Sequence, residues 1–344
     1  MALHVAKTIT ASAMRLTCAA AGVAVLAAGA LADSMLADFA YPHPVKHFEL
    51  KSQRQALAMA YMDIAPAAGV TPNGKTVVLL HGKNFCGVTW EDVIAALSGA
   101  GYRVIVPDQI GFCKSSKPEG YQFSLHQLAD NTRALLRQLK IERPIVMGHS
   151  MGGMLAMRYA LMYPQEMSGL VLLNPIGLED WKAKGVPLAT IDEWYATEQR
   201  ASFEGMKKYQ QSTYYAGQWK PEYDRWVHMF ASMYQGEGGK RAAWNQAQAS
   251  DMILSQPVVY ELERIAVPTL LLIGEKDTTA IGKNRAPAEL AKALGNYPVL
   301  AREAHARIKG STLVTFPDMG HSPQIQDPAR FNAVLLEGLG KLTP

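Results

Sequence analysis

The chain has 344 residues, 49% of them hydrophobic and 19% charged, a globular balance with enough apolar material for a large core. Its formal net charge of +4 drops to about +2 without Lys7 and Arg15, and no basic run remains, so no nucleic-acid partner is expected. No pair among its 3 cysteines has zinc-site spacing, so a metal cofactor is unsupported.

At the N-terminus, Lys7 and Arg15 precede or open an apolar run from Leu16 to Leu31, and Ala30-Leu31-Ala32 offers small residues for cleavage before Asp33. The pattern predicts a secretory signal over 1–32, with cleavage near Ala32 and an exported protein, periplasmic or secreted. The run is short and alanine-rich beside the roughly 20 residues of a spanning helix, so no stable membrane anchoring is expected once the signal is removed. Export would leave Cys86 and Cys113 in a compartment that permits disulfides.

Strand-like stretches follow at His47–Leu50 and Ala56–Ile64, and Thr71-Pro72-Asn73-Gly74 reads as a turn. An alternating pattern then begins. Strands are predicted at Thr76–His81, Tyr102–Pro107, Pro144–Met147 and Gly169–Leu173, with helices at Thr89–Gly99, Leu125–Leu139 and 152–163 between them. Short apolar strands alternating with helices argue for a parallel sheet covered on both faces. The alternation breaks at Asn174-Pro175-Ile176-Gly177. From there to about Arg264 the chain is helical, polar and aromatic, and holds Trp181, Trp194, Trp219, Trp226 and Trp244. Strands resume at Pro268–Ile273 and Thr312–Phe316, with a last helix near Pro328–Leu339. The predicted organisation is a core of 33–176 and 265–344, with a helical lid at 177–264 over the carboxyl ends of the strands, where open α/β sheets bind ligands.

Gly148-His149-Ser150-Met151-Gly152 lies where a strand meets a helix. A serine between two glycines at such a junction has the layout of a nucleophile elbow, with small neighbours allowing a strained turn. The following helix aims its free N–H groups and dipole at the site. A serine that attacks a carbonyl needs a base, and the base needs an acid that holds its tautomer. Asp277, in Leu272-Ile273-Gly274-Glu275-Lys276-Asp277, is the candidate acid, and His321, in Gly320-His321-Ser322-Pro323, the candidate base. Each follows a predicted strand, in the chain order Ser, Asp, His. Two N–H donors must meet the oxyanion: that of Met151, and one from the loop His81-Gly82-Lys83-Asn84-Phe85, where Lys83 and Asn84 both qualify. His149 is expected to pack inward.

Together, Val77-Val78-Leu79-Leu80-His81-Gly82, Val106-Pro107-Asp108-Gln109-Ile110-Gly111-Phe112, Gly148-His149-Ser150-Met151-Gly152-Gly153, Gly274-Glu275-Lys276-Asp277 and Gly320-His321-Ser322-Pro323 resemble the α/β-hydrolase superfamily, in its lidded serine esterase-like branch. The resemblance covers about 76–177 and 262–340. It implies the α/β-hydrolase fold, an eight-stranded, mostly parallel sheet with helices on both faces and a helical lid insertion. It also implies cofactor-free hydrolysis of a small-molecule, ester-like substrate. Ser150 sets the chain apart from the aspartate-dependent dehalogenases and epoxide hydrolases of this fold. Met151 stands where prolyl aminopeptidases favour tryptophan, and His149 where carbon–carbon bond hydrolases usually have asparagine. Ester or lactone hydrolysis leads, ahead of a carbon–carbon hydrolase of vinylogous diketones, a cofactor-free perhydrolase and a non-catalytic ligand-binding protein. Cys113 replaces a glycine common in relatives, and in this fold the strands before Cys86 and Cys113 are neighbours. The resemblance therefore implies a Cys86–Cys113 disulfide bracing the oxyanion loop.

Overall fold

The computed structural model describes residues 35–342, so the predicted signal segment lies outside the described residues. Eight strands form one sheet: β1 (Val45–Ser52), β2 (Gln55–Ile64), β3 (Thr76–Leu80), β4 (Arg103–Pro107), β5 (Ile145–His149), β6 (Gly169–Leu173), β7 (Thr269–Gly274) and β8 (Thr312–Phe316). Their spatial order is β1-β2-β4-β3-β5-β6-β7-β8. Both antiparallel pairings belong to β2, which pairs β1 on one side and β4 on the other. All other pairings are parallel.

The central strands are apolar along their whole length because both of their faces are covered. Every residue of β5, β6 and β7 is buried. Alternation sends Val78, Leu80, Val146 and Leu172 to one face and Val77, Leu79, Met147 and Leu173 to the other. On the second face lie α1 (Glu91–Gly99), through Val93, Ile94 and Leu97, and the C-terminal helix, through Phe331, Leu335 and Leu339. On the first lie α2 (Leu125–Gln138) and α3 (Met151–Met162), through Leu128, Leu135, Met154 and Leu155. Ser124 starts α2 by accepting the Gln127 N–H on its hydroxyl, which satisfies a donor the helix cannot.

Between β6 and β7 the chain leaves the sheet and forms α4 (Ile191–Glu198), α5 (Phe203–Tyr209), a π-helical turn (Gln210–Tyr214), α6 (Asp224–Ser232) and α7 (Gly236–Ser255). Trp194, Met206, Trp226 and Phe230 of this segment join the core cluster of the first face. Two helices absent from the predicted elements, α8 (Ala288–Ala293) and α9 (Tyr297–Arg307), precede β8. Then come α10 (Pro323–Gln326) and α11 (Pro328–Leu342). Among the described residues, no helix is long and apolar enough to cross a membrane.

Candidate active site

Ser150, Asp277 and His321 stand just past the carboxyl ends of β5, β7 and β8. Ser150 occupies the bend between β5 and α3 at φ 57°, ψ −121°, a conformation most side chains avoid. The surrounding backbone secures it: its N–H donates to the Leu173 carbonyl (3.2 Å), and its carbonyl accepts from the N–H groups of Gly153 (2.9 Å) and Ile176 (3.2 Å). The flanking glycines are required by space. A Cβ on Gly148 would stand 2.0 Å from the Gly152 carbonyl oxygen, and one on Gly152 would stand 2.1 Å from the Leu80 carbonyl oxygen.

Asp277 and His321 are in direct contact. His321 Nδ1 lies 2.6 Å from Asp277 Oδ2, and both side chains are fully buried. The same oxygen accepts from Asn174 Nδ2 (2.9 Å), while Oδ1 accepts the Thr279 N–H (2.8 Å). Asn174 also takes the Gly274 N–H on its Oδ1 (2.8 Å), so it fixes both the acid and the end of β7. His321 Nε2 is buried and has no hydrogen-bond partner among the described residues. With Nδ1–H committed to the carboxylate, Nε2 keeps its lone pair and can take up a proton.

The oxyanion-loop candidates also meet here. A Cβ on Gly82 would lie 2.8 Å from Ser150 Cβ, so this loop runs directly against the serine. Gly82–Phe85 is a turn closed by the Phe85 N–H on the Gly82 carbonyl (3.2 Å). The N–H groups of its middle residues, Lys83 and Asn84, donate to no backbone carbonyl among the described residues. Met151 is the first residue of α3, so its N–H precedes the helical ladder. The Lys83 and Asn84 side chains point away into other bonds, Lys83 Nζ to Glu198 Oε1 (2.7 Å) and Asn84 Nδ2 to the Tyr214 hydroxyl (2.8 Å). Cys86 and Cys113 are joined by a disulfide with Cα atoms 5.7 Å apart, directly after this turn. Cys113 sits at φ 48°, a left-handed conformation that glycine adopts freely.

Asn174 and Tyr214 touch the site and are absent from the candidate site residues that the sequence singles out. Asn174 followed a strand, as the other site residues do, but nothing in the sequence indicated its target. Tyr214, from the π-helical turn, stacks on the His321 ring (5.0 Å between centroids) and on Phe85 (5.1 Å). The same turn accepts the Ser322 N–H on the Tyr214 carbonyl (3.2 Å), so it seats the histidine loop through backbone as well. His149 packs inward, and its Nε2 donates to the His321 carbonyl (2.8 Å).

Burial drives the His149 pKa well below the ordinary imidazole value, and neighbouring His321 pushes it the same way. His81 is also lowered by burial, against the opposing pull of Asp108. His81 Nδ1 donates to the Gly82 carbonyl (2.8 Å) while its Nε2 accepts the Gln109 N–H (3.0 Å), an arrangement that needs a neutral ring. Each folded-state pKa lies below the unfolded one, so the unfolded chain binds more protons and acid favours it. Stability should be complete above about pH 6.5, the ordinary imidazole pKa, and decline as pH falls below it. Urea titrations at pH 7 and pH 5 should show a lower midpoint at pH 5; equal midpoints would contradict this account of the two histidines.

His81, Asp108 and Cys113 stand close enough together to suggest a metal site. Their atoms are already committed. Cys113 is disulfide-bonded, His81 uses both nitrogens, and the Asp108 carboxylate accepts from the Gly87 N–H (2.7 Å), the Lys114 N–H (3.1 Å) and the Tyr41 hydroxyl (2.7 Å).

Residues 75–328 match the family model for the alpha/beta hydrolase fold. A crystal structure of a probable hydrolytic enzyme from Pseudomonas aeruginosa PAO1 is similar at 59% identity and a TM-score of 0.87, covering 89% of this chain and 97% of that one. The structure of Est816, an N-acyl homoserine lactone degrading enzyme, is 25% identical with a TM-score of 0.61, covering 85% of this chain and 99% of its own. A cis-3-alkyl-4-alkyloxetan-2-one decarboxylase of Shewanella oneidensis is 29% identical over 221 residues, which is 59% of this chain and 68% of that protein.

Proposed function

The chain belongs to the alpha/beta hydrolase fold family, and from that premise we propose that it is a serine hydrolase cleaving a carboxylic ester or lactone through an acyl-enzyme. One observation carries the reading. His321 is held through Nδ1 by a buried carboxylate, with Nε2 buried and unpaired, on the same sheet edge as a serine in an elbow. Ser150 Oγ attacks the carbonyl carbon while His321 Nε2 takes the hydroxyl proton. The negative charge on oxygen meets the Met151 N–H and a second N–H from Lys83 or Asn84. As the carbon–oxygen bond breaks, His321 returns the proton to the leaving alcohol, which in a lactone stays tethered to the acyl group. Water then attacks the acyl-enzyme, His321 accepts its proton, and the acid leaves as Ser150 Oγ is reprotonated.

The segment 177–264 acts in this reading as a lid. The Lys83–Glu198 pair and the Asn84–Tyr214 bond tie it to the oxyanion loop, and Tyr214 lies on the base. The disulfide braces the loop from below and accords with export to an oxidising compartment, periplasmic or extracellular. Two similar proteins are named for lactone or oxetanone substrates, which favours keeping cyclic esters beside open ones. A panel of aryl esters, lactones and vinylogous diketones tests the proposal. Turnover of esters or lactones with none of the diketones is expected. Turnover of the diketones alone would overturn it.

A further inference from the structure

A cavity of about 700 Å³ adjoins the site, walled in part by Lys83 and Asn84 of the oxyanion loop and by Thr278 and Thr279 just after Asp277. Its charged lining residues are Lys83, Glu198, Arg200 and Lys283. Glu198 is fully spent: one oxygen pairs with Lys83 Nζ (2.7 Å) and the other accepts the Tyr234 hydroxyl (2.7 Å). Arg200 and Lys283 have no carboxylate partner among the described residues. Lys283 Nζ donates only to the carbonyls of Thr278 (3.2 Å) and Leu294 (3.0 Å). The wall therefore carries two positive charges that no carboxylate among the described residues neutralises.

Two further groups on this wall lack partners. The Trp194 indole N–H and the Thr279 hydroxyl are buried and unpaired, in residues that are only 8% and 4% exposed. An indole nitrogen can only donate, and a hydroxyl can do so freely. Buried donors left unpaired cost free energy, which a ligand bearing acceptors recovers. Arg200 is solvent-exposed, so its attraction for an anion acts through water and weakens as salt is raised. Two cationic residues and two residues with unpaired donors thus line one cavity, whose wall includes the oxyanion loop and the residues just after Asp277.

We infer that this cavity receives an anionic part of the substrate, so that the preferred substrates are esters or lactones carrying a carboxylate, such as half-esters of dicarboxylic acids. The inference rests on the serine-hydrolase reading and narrows its substrate class. The test compares the 4-nitrophenyl half-ester of glutaric acid with the analogue whose free carboxylate is a primary amide. A kcat/KM ratio of about tenfold or more in favour of the half-ester is expected, falling as salt is raised. Arg200→Gln should cut that ratio about tenfold, equivalent to about 1.4 kcal/mol, and Arg200→Lys should restore most of it. A ratio of one or below, or one indifferent to Arg200→Gln, overturns the inference while the hydrolase reading stands. If neither ester turns over, protection of Ser150 from a fluorophosphonate decides. Protection by glutarate and not by its diamide supports the inference, and equal protection overturns it. Failure of the fluorophosphonate to label Ser150 would remove the hydrolase reading, and this inference with it.

Discussion

Ser150→Ala should lower turnover of a cleavable ester by on the order of 10⁶ while leaving the fold in place. The chemical loss is large because no neighbouring group can replace the attacking oxygen once His321 and the oxyanion donors lack a partner to work with. The structural cost is small for a reason visible in the elbow. The bonds that hold residue 150 are made by its backbone, to Leu173, Gly153, Met154 and Ile176, and alanine keeps them all. Alanine at φ 57° bears about the strain serine already bears. Thermal unfolding should therefore move little. A variant that kept near-wild-type hydrolysis would place the nucleophile elsewhere.

The second large effect is expected at Asp277. Asp277→Asn should cost about 10⁴ in kcat, through the tautomer of His321 rather than through shape. Oδ1 of Asp277 receives the Thr279 N–H, and Oδ2 receives both His321 Nδ1–H and Asn174 Nδ2–H. An asparagine whose carbonyl oxygen keeps the Thr279 bond must turn its NH₂ toward His321 and Asn174. Donor then faces donor. His321 relieves the clash by moving its proton to Nε2, where it can no longer accept one from Ser150. Steady-state kinetics should show the loss in kcat with KM nearly unchanged. An equal loss in Asp277→Glu and Asp277→Asn, with no recovery at high pH in either, would argue for disrupted packing instead.

The sheet was legible because parallel strands buried on both faces must be continuous apolar runs, and β3 to β7 are short runs of that kind, while the edge strand β8 is only partly buried. The ends of these strands also point to candidate site residues, since a side chain just past a strand is delivered to one edge. Ser150, Asp277 and His321 each follow such a strand. What the sequence concealed depends on contacts between distant segments. Asn174 lies just past β6, yet its work on Asp277 appears only when β6 and β7 are paired. Tyr214 sits in a helical segment whose aromatic residues follow no period that ranks one above another, and only folding sets it on His321. Of the two helices before β8, α8 buries no residue and carries no apolar stripe to read, whereas α9 buries Tyr297, Leu300, Ala301 and Ala304 at helical spacing. The tryptophans of 177–264 mostly pack the segment against the body. Trp181 and Trp226 belong to the core, and Trp194 alone among the five lines the cavity beside the oxyanion loop.

Covalent capture measures directly whether Ser150 is a nucleophile activated for attack. The folded protein treated with a fluorophosphonate should gain the mass of one adduct, mapped by peptide sequencing to Ser150, and Ser150→Ala should gain none. An unmodified wild-type protein, or an adduct that persists in Ser150→Ala, would contradict the account.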